Sequence, residues 1–401
     1  MSRMIIFDDG KGEYGPMTDL RAAFEMRTGM LTTAGRLDAW RPRTLAGYWT
    51  PEHLRAMVAE RANAPVNILP DEEQMLCVNG RWALPDRDLH LDVGEAVVEE
   101  ATGETIAAHL RRADAARLLE SGQLPEPVRQ RTLPGRSLYR HPWDVLDRLT
   151  EVLLHDITST RILDAKVLGT DAAVMGYEPV EVHASAMLGP NVVFDATRGP
   201  IIVHERAVIR PGAVLCGPCS IGPESVIMDH AVIKPGTAIG PVCKVGGEVG
   251  ATIFQGYANK AHEGHLGDSW VGKWVNLGAG TTNSNLLNTY GEVTMRLDAK
   301  GSRMRTGRKF MGAIIGDHVK TAIGTRLMTG TVLGTGSMIA ATTPPPDLVE
   351  PFTWLTDAGM GRYRLSKFIE VMKAVMARRE KMAGEGYVKR IEALHAGVGA
   401  E

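Results

Sequence analysis

Cysteines and long apolar runs are scarce in this sequence. Four cysteines in 401 residues are too few for a disulfide framework, and a reducing cytoplasm is the compartment expected for such a chain. No run of about 18 apolar residues occurs, so the sequence predicts no membrane span. The N-terminus becomes acidic at Asp8 and Asp9, too early for a signal peptide. We therefore expect a cytoplasmic protein without membrane contact.

Neither sign of charge is in excess. The chain carries 45 basic and 47 acidic residues, for a formal net charge of -2. Since no basic field is present, nucleic acid and anionic membranes are not expected partners. The 44% of apolar residues is typical of globular proteins, and the length exceeds that of most single domains, so we expect more than one folded unit.

Aromatic residues make up only 5% of the chain, whereas the middle of the chain has a repeat of six residues. Aliphatic residues recur at every sixth position from Val203 to Val245, and the ladder resumes from Ile315 to Ile339. A small residue or threonine stands four places after each of the first seven. A period of six matches neither an α-helix nor a simple strand. It predicts short strands joined by corners, with the aliphatic residues inside a parallel β-solenoid.

This pattern resembles the hexapeptide-repeat family, whose coils form a left-handed parallel β-helix. We predict that the β-helix spans residues 166–345 and that an α/β unit, residues 1–140, precedes it. A helical linker, residues 141–165, joins the two. Residues 346–401 are predicted to form a helical cap, because an open coil end exposes strand edges and core.

A polar segment follows the regular part of the ladder. Between Val245 and Val271 the spacing of six is lost, and residues 259–268 contain two histidines, an asparagine and a lysine. The run Asn276-Leu277-Gly278-Ala279-Gly280-Thr281 and two more asparagines follow. A solenoid gains nothing from such residues, which indicates a binding or catalytic site.

The motifs of this segment resemble the acetyltransferase half of the GlmU-type enzymes of UDP-N-acetylglucosamine synthesis. His262 matches the family histidine by its distance from Leu266-Gly267-Asp268, and residues 276–281 match the Asn-Leu-Gly-Ala-Gly-Thr motif. Asn285 matches a further asparagine. A divergent bacterial branch of the family is more similar still, over nearly the whole chain. The motifs shared with that branch include Phe7-Asp8-Asp9, Thr306-Gly307-Arg308 and Gly316-Asp317-His318.

The resemblance implies a homotrimer that transfers an acetyl group from acetyl-CoA to the amine of an amino-sugar phosphate, for a nucleotide sugar of the cell envelope. His262 is then the general base, since an imidazole takes an ammonium proton near neutral pH. His265, where the family has tyrosine, is then a substrate contact. The other implied site residues are Asn276 and Asn285 for orientation, Lys260, Arg308 and Lys309 for phosphate groups, and Gly278, Ala279, Gly280 and Ala340 for acetyl-CoA.

Each assignment has a structural alternative. The alternatives are solvated loop residues for His262 and His265, a ladder of amides at the coil corners for Asn276 and Asn285, and a solvated rim for Arg308 and Lys309. Cys216 and Cys219 have the spacing of a zinc pair, but no second pair follows. Cys219 occupies the small position of a hexad, so core packing is favoured over metal binding.

The N-terminal segment resembles a shortened, Rossmann-like nucleotidyltransferase. Asp8 and Asp9 follow the first predicted strand, residues 4–7, and Arg21 and Arg27 stand on a helix predicted for residues 18–27. These four residues are the candidate nucleotide or phosphate contacts. The family places a metal-binding aspartate after a later strand, but Arg81 stands there in this chain. Uridylyl transfer with Mg²⁺ and a sugar- or nucleotide-binding remnant both stay open.

Three classes of function remain after the sequence is read. The first is an amino-sugar N-acetyltransferase, with or without nucleotidyl transfer. The second is a nucleotidyltransferase whose β-helix serves only for assembly, and the third is a non-catalytic trimeric scaffold. The segment from His262 to Asn285 favours the first class, because pure assembly needs no histidine there.

Overall fold

A computed structural model describes residues 2–86, 88–160, 162, 164–166 and 172–398. The described chain forms an α/β unit, a parallel β-solenoid and two C-terminal helices, which confirms the predicted fold class. No helix in these residues is long and apolar enough to cross a membrane. The boundaries proposed between the domains stay a prediction.

The N-terminal unit is built on a six-stranded sheet in the order β2-β1-β3-β5-β4-β6. The strands are β1 Arg3–Phe7, β2 Leu45–Trp49, β3 Gln74–Asn79, β4 Glu95–Glu99, β5 Thr105–Arg111 and β6 Arg129–Leu133. β1 is parallel to β2 and β3, and all but its first residue are buried, as expected for a central strand covered on both faces. The carboxyl ends of β1 and β2 therefore meet at one edge of the sheet.

Five α-helices accompany this sheet. They are α1 Thr33–Trp40, α2 Glu52–Ala59, α3 Arg112–Ser121, α4 Pro142–Asp147 and α5 Leu149–Ser159. α1 begins where Thr32 Oγ1 accepts a hydrogen bond from the Gly35 amide at 3.1 Å, a typical helix N-terminal cap. Leu149, Leu153 and Ile157 of α5, spaced by four residues, form one apolar stripe that packs on the solenoid.

The helix predicted for residues 18–27 is wrong. Within it the structure has only a short 3₁₀ turn, Ala23–Glu25. Asp8 Oδ2 accepts a hydrogen bond from the Ala23 amide at 2.7 Å, and side-chain acceptors of this kind compete with the helical pattern. The two arginines of this segment consequently do not share a helix face.

The solenoid has three faces, named here for later use. The joined face contains Val180–Val182, Ile201–Val203, Cys219–Ile221, Thr237–Ile239, Ile253–Phe254, Trp270–Val271, Ile314–Ile315, Val332–Leu333 and Leu348–Val349. The histidine face contains Ala172–Gly176, Val192–Ala196, Val214–Cys216, Val232–Ile233, Glu248–Gly250 and His265–Gly267, continued by Thr282–Asn283 and Arg326–Leu327. The asparagine face contains Met187–Leu188, Val208–Ile209, Val226–Ile227, Lys244–Val245 and Asn259–Lys260, continued by Lys320–Thr321, Met338–Ile339, Thr353–Thr356 and Gly359–Arg362.

The coil continues through the segment in which the spacing of six is lost. The buried ladder positions there are Val249, Phe254, Lys260 and Leu266, each paired in register with the coil before it. Shorter corners reduce the first two steps to four and five residues, which hides the repeat in the sequence. Lys260 pairs with Val245 and so occupies a ladder position that is aliphatic in the coil before it.

The joined face carries apolar residues on its outer side as well as its inner side. Six outer residues of this face form an apolar cluster with Met26, Met30 and the apolar stripe of α5. They are Ile202, Ala238, Ile253, Trp270, Ile314 and Val332. All six are completely buried. Because apolar burial contributes about 25 cal/mol per Å², this contact fixes the N-terminal unit along one side of the solenoid.

A loop inserted between two coils, residues 286–311, also reaches the N-terminal unit. It contains the short hairpin Thr294–Met295 and Met304–Arg305. Leu297 of the loop is buried in the same apolar cluster as Tyr14 and lies against Gly15, where an added Cβ would be 3.4 Å from the Leu297 Cβ. The insertion therefore ties the solenoid to the first loop of the N-terminal unit.

The C-terminal helices do more than cover the last coil. They are α6 Leu365–Ala377 and α7 Glu385–Gly397. α7 packs on α2, and the Glu60 carboxylate after α2 accepts hydrogen bonds from the Gly386 and Tyr387 amides. The Tyr387 hydroxyl lies 2.8 Å from Nε2 of His318, a buried residue of the solenoid. The predicted cap thus also joins the solenoid to the N-terminal unit.

Candidate functional site

One edge of the solenoid, where the asparagine face turns into the histidine face, collects several predicted acetyltransferase residues. The corners stacked along it are residues 246–247, 261–264, 278–281 and 322–324 and the corner that begins at Ala340. Glycine permits this stacking, since a side chain at Gly264 would collide with the Thr281 carbonyl. His262 is exposed on the second corner. We call this strip the corner edge.

Lys260 lies beneath His262 and is only 1% exposed. Its ammonium donates to the carbonyl of Gly246 at 3.0 Å and to the carbonyl of His262 at 2.8 Å. Burial lowers the pKa of Lys260 to about 8. The predicted phosphate contact is therefore corrected: the charge faces main-chain carbonyls and fixes the corner that carries His262.

His265 and Asn285 converge on Gly267, on the histidine face. His265 Nε2 lies 2.6 Å, and Asn285 Nδ2 lies 2.8 Å, from the place that a Cβ of residue 267 would take. Only the absence of a side chain at Gly267 makes room for both nitrogen atoms. On the other side of the ring, His265 Nδ1 is 3.5 Å from Glu248 Oε1, so a carboxylate orients the imidazole.

The guanidinium of Arg308 is bound within the protein. Its guanidinium donates to Asp268 at 3.0 Å, to Asp147 of α4 at 2.5 Å and to the carbonyl of Phe310 at 2.8 Å. Asp268 also accepts from Asn285 Nδ2 at 2.7 Å. The predicted phosphate role of Arg308 is corrected to that of a link between the insertion, α4 and the histidine face. Its neighbour, Lys309, is exposed and stays a candidate.

Asn276 lies on the other side of the corner edge from Asn285. It is exposed on the asparagine face and aligned by main-chain bridges with Asn259 and Lys320. Asn259 Nδ2 donates to Asn276 Oδ1 at 3.5 Å, and Arg379 donates to Asn259 Oδ1 at 3.3 Å. The structural alternative of an amide ladder thus applies to Asn276, whereas Asn285 belongs to the histidine cluster.

The corner that follows Leu277 has main-chain amides on the corner edge. The Gly278 amide donates to Thr321 Oγ1 at 3.0 Å and is therefore occupied. The amides of Ala279 and Gly280 donate to no acceptor within the described part of the chain. Ala340 is exposed on a later corner of the same edge. The corner edge beside His262 therefore consists of small residues, two of whose main-chain amides are unused.

A second candidate site lies at the carboxyl ends of β1 and β2. It is an open cleft of about 450 Å³. The residues around it are Phe7, Asp8, Asp9, Gly10, Lys11, Trp49, Thr50, Pro51, Glu52, Asn67, Leu118, Leu119, Glu120, Ser121 and Gly122. Ligands of open α/β sheets bind at this end of parallel strands, so the cleft is where a nucleotide-binding relative would hold its substrate.

Asp9 is fully engaged by the protein. Arg81 binds it with two hydrogen bonds of 2.8 and 2.6 Å, and Asn79 Nδ2 and the Lys11 amide donate to it at 2.9 and 3.2 Å. Four donors use all the lone-pair positions of a carboxylate. Burial works to raise the pKa of Asp9, but the bonds and charge of Arg81 outweigh it and hold the pKa below its usual value.

Asp8 and Thr50 retain hydrogen-bonding capacity. Asp8 accepts from the Gly10 amide at 3.0 Å and from the Ala23 amide at 2.7 Å, which leaves about two lone-pair positions. Burial raises the pKa of Asp8. Thr50 is 2% exposed, and among the described residues its hydroxyl has no partner. The Asn67 side chain bonds both main-chain groups of Thr50, at 2.9 Å each, and so fixes it.

The cleft fits poorly the Mg²⁺ ion that a nucleotidyltransferase uses. Mg²⁺ requires oxygen ligands with open coordination positions, and of the two aspartates only Asp8 has any left, because four donors occupy Asp9. The carboxylate of Glu104, which lies next to that of Asp9, is also bound to Arg81. No group of three or more His, Cys, Asp or Glu side chains suited to a metal occurs within the residues that the structure describes.

Arg21 and Arg27 lie away from this cleft, so their predicted phosphate contacts are corrected. Arg21 is 2% exposed, forms an ion pair with Asp317 of the solenoid and stacks over the Trp270 ring at 5.3 Å. Burial lowers the pKa of Arg27 to about 10, and its amide donates to Gln255 Oε1 at 2.7 Å. Both arginines therefore serve the contact between the N-terminal unit and the joined face.

Sequence reasoning missed Glu248, Gly267, Thr50 and Asn67. Glu248 stands outside the motif that includes His265, and only the stacking of coils brings the two together. The Leu-Gly-Asp motif contains Gly267, so its need for space was open to inference. Nothing in the sequence marks Thr50 or Asn67.

The comparisons with known proteins agree with the two-part architecture. The sugar nucleotidyl transferase family matches residues 4–161. A "Bifunctional sugar-1-phosphate nucleotidylyltransferase/acetyltransferase" of Sulfurisphaera tokodaii is 33% identical over 143 residues, 34% of this chain and 34% of that protein. A "Bifunctional protein GlmU" of Methanococcus aeolicus is 27% identical over 212 residues, 50% of this chain and 42% of that protein.

A second Methanococcus protein has a higher identity over a similar length. The "Bifunctional protein GlmU" of Methanococcus maripaludis, strain DSM 14266, is 34% identical over 204 residues, 50% of this chain and 42% of that protein. The matched parts thus span less than half the length of these relatives. Together with the family match, they confirm the predicted resemblance to GlmU-type enzymes.

Proposed function

We propose that this chain acetylates the amine of an amino-sugar phosphate, with acetyl-CoA as the donor. Its similarity to the GlmU-type bifunctional enzymes supports this transferase activity. The observation that carries the proposal is the corner edge. There an exposed histidine, His262, stands on a corner that buried Lys260 holds in place, beside the unused main-chain amides of Ala279 and Gly280. A solenoid used only for assembly has no need of such an arrangement.

The chemistry requires one base and one set of donors. His262 takes a proton from the substrate ammonium, and the freed amine nitrogen attacks the carbonyl carbon of the thioester. The nitrogen then loses its second proton as the carbon–sulfur bond breaks. Of the two protons released, one passes from the imidazolium to the departing CoA thiolate and the other leaves to solvent. The amides of Ala279 and Gly280 supply hydrogen bonds for the oxyanion that forms in between.

The histidine face supplies the contacts for the sugar. His265 and Asn285 present two nitrogen atoms around Gly267, and Glu248 orients His265. Polar groups held in this way fix a substrate hydroxyl more strictly than mobile side chains do. Lys309 is the remaining cation for the phosphate, because Lys260 and Arg308 are bound within the protein.

We also propose that the chain acts as a homotrimer. His262 and Ala340 are exposed on the corner edge, and an exposed edge of a single chain binds a long donor such as acetyl-CoA poorly. A neighbouring chain supplies a second wall. Light scattering that finds a monomer at micromolar concentration contradicts this assembly.

The second candidate function is sugar-1-phosphate nucleotidyl transfer by the N-terminal half. Together with acetyl transfer by the solenoid, it would couple two steps of nucleotide-sugar synthesis in one chain. It is favoured by the family match over residues 4–161 and by the position of the cleft. The saturation of Asp9 by Arg81 weighs against it, because phosphoryl transfer relies on a metal to neutralise charge. Turnover of UTP with a sugar 1-phosphate by the full chain would establish this activity.

The acetyl transfer is tested with the full chain, acetyl-CoA and glucosamine 1-phosphate. Release of free CoA thiol, together with a mass increase of one acetyl group on the sugar, is the expected result. Galactosamine 1-phosphate and unphosphorylated glucosamine define the acceptor. An intact trimer that releases no thiol with any amino-sugar phosphate would leave the scaffold as the better account.

A further inference from the structure

The cleft beyond β1 and β2 has an unusual charge for a nucleotide site. Four acidic residues and one basic residue line it: Asp8, Asp9, Glu52, Glu120 and Lys11. Arg81, whose side chain is 1% exposed, neutralises Asp9 from beneath, so the excess negative charge of the cleft comes from Asp8, Glu52 and Glu120. Because like charges repel, a triphosphate is disfavoured at a surface of this sign.

The loop after β1 is also closed to phosphate. A phosphate-binding loop offers main-chain amides to the anion. Here the Gly10 amide donates to Asp8 Oδ1 at 3.0 Å, and the Lys11 amide donates to Asp9 Oδ1 at 3.2 Å. The loop therefore binds two carboxylates of its own chain where a phosphate would be held.

The unused groups in the cleft accept hydrogen bonds or attract a cation. Asp8 has lone-pair positions to spare, and the buried hydroxyl of Thr50 is without a partner in the described chain. The half-buried Trp49 lines the same cleft, and an indole ring attracts an ammonium group. A ligand with several donors and a positive charge satisfies these groups, whereas a phosphate ester does not.

We propose that this cleft binds a protonated amine that carries several hydroxyl groups, such as an unphosphorylated amino sugar, without a metal ion. This site is separate from the corner edge and goes beyond the proposed acetyl transfer. Asp8 and Thr50 contact the ligand, Trp49 forms one wall, and Glu52 and Glu120 supply the field that favours a cation.

The test is isothermal titration calorimetry of the full chain with D-glucosamine in the presence of EDTA. D-Glucose and N-acetylglucosamine, which have the same ring without the charge, are the comparison ligands. The expected result is at least a tenfold preference for glucosamine. Equal affinity for glucose and glucosamine overturns the proposal. Mg²⁺-dependent binding of UTP that displaces glucosamine from the cleft overturns it as well.

Variants locate the site. Glu52→Gln with Glu120→Gln changes two exposed residues, so the fold should persist, and the loss of two charges should weaken glucosamine binding about three- to tenfold. Glu72→Gln with Glu100→Gln, also exposed on the N-terminal unit but outside the cleft, is the matched control. Equal binding by the two double variants overturns the proposal.

A third variant tests the buried acceptor. Asp8→Asn should lower the affinity by tenfold or more if it folds, which circular dichroism checks. CoA release by the cleft variants is measured in parallel. If the cleft variants lose glucosamine binding but still release CoA, the binding site is assigned to the cleft. If the native chain releases no CoA at all, that result contradicts only the proposed acetyl transfer.

Discussion

The ammonium of Lys260 donates to the main-chain carbonyl of His262 at 2.8 Å, from a ladder position inside the solenoid. A buried cation at such a position has a desolvation cost that an aliphatic residue avoids. The bond instead gives the corner a fixed shape at the residue assigned as base. Lys260 is therefore a positioning residue for His262.

Replacement of Lys260 by methionine should lower acetyl transfer about ten- to a hundredfold, because a base displaced by about 1 Å loses this much. CoA release measures the rate. Lys320→Met is the control, since Lys320 donates in the same way to the carbonyls of Trp274 and His318 at another corner. Its stability should fall while the rate stays the same. Equal rates for both variants contradict the positioning role.

The stability of the protein should depend on pH through Lys260. Burial lowers its pKa from 10.5 to about 8 in the folded chain, so between these values the unfolded chain binds more protons. The free energy of unfolding then rises with pH in this range, by about 1–3 kcal/mol in total. Urea unfolding of the native chain and of Lys260→Met from pH 7 to pH 10 isolates the effect. If the difference in unfolding free energy between the native chain and Lys260→Met does not change with pH, this prediction is wrong.

His262→Ala should lower acetyl transfer about 10²- to 10⁴-fold, the usual contribution of a general base. The thermal midpoint should barely change, because the side chain is exposed. His265→Phe should have a smaller effect and act mainly on KM, and Asn276→Ala the least, as it lies on the other face. Near-native turnover in His262→Ala would move the role of base to His265, which has Glu248 as its partner.

Gly267→Ala should disrupt the sugar contacts. Its Cβ would lie 2.6 Å from His265 Nε2 and 2.8 Å from Asn285 Nδ2, so both side chains have to move. We expect a loss of kcat/KM of about a hundredfold with a nearly native circular dichroism spectrum. Gly361→Ala is the control, since nothing lies within 4 Å of that position. A fully active Gly267→Ala contradicts the placement of the sugar on the histidine face.

Arg21→Met should destabilise the chain by about 3–5 kcal/mol, because it leaves the buried carboxylate of Asp317 without its cation. Arg305→Met removes an ion pair at the surface, between Arg305 and the partly exposed Glu292, and should leave the stability almost unchanged. Calorimetric unfolding of both variants gives the comparison. Native stability in Arg21→Met, combined with weaker UTP binding, would restore the phosphate role first predicted for this arginine.

The hexads predict the solenoid because each aliphatic ladder is formed by residues six apart, which is a local relationship. The joined face was open to prediction as well: Ile202, Ala238, Ile253 and Trp270 stand directly before inward ladder residues and make those strands apolar on both sides. Such strands need a partner on the outside.

The errors concern long-range pairing. Arg21 meets its partner 296 residues further along the chain, and nothing in its own segment indicates that contact. Lys260 has the sequence context of a site residue, and only the stacking of coils shows that its side chain points inward. The residue types were therefore enough to predict where the site lies in the sequence. The direction in which each side chain points could be known only from the fold.

The N-terminal unit covers the joined face from Ile202 to Val332, and this limits how copies of the chain can pack through their solenoids. A second solenoid then meets the histidine face, the asparagine face or the corner edge between them. His262 is on that edge, so the surfaces left for contact between solenoids include the strip assigned to acetyl transfer. A substitution there that prevents association would be expected to abolish turnover without touching any reacting group.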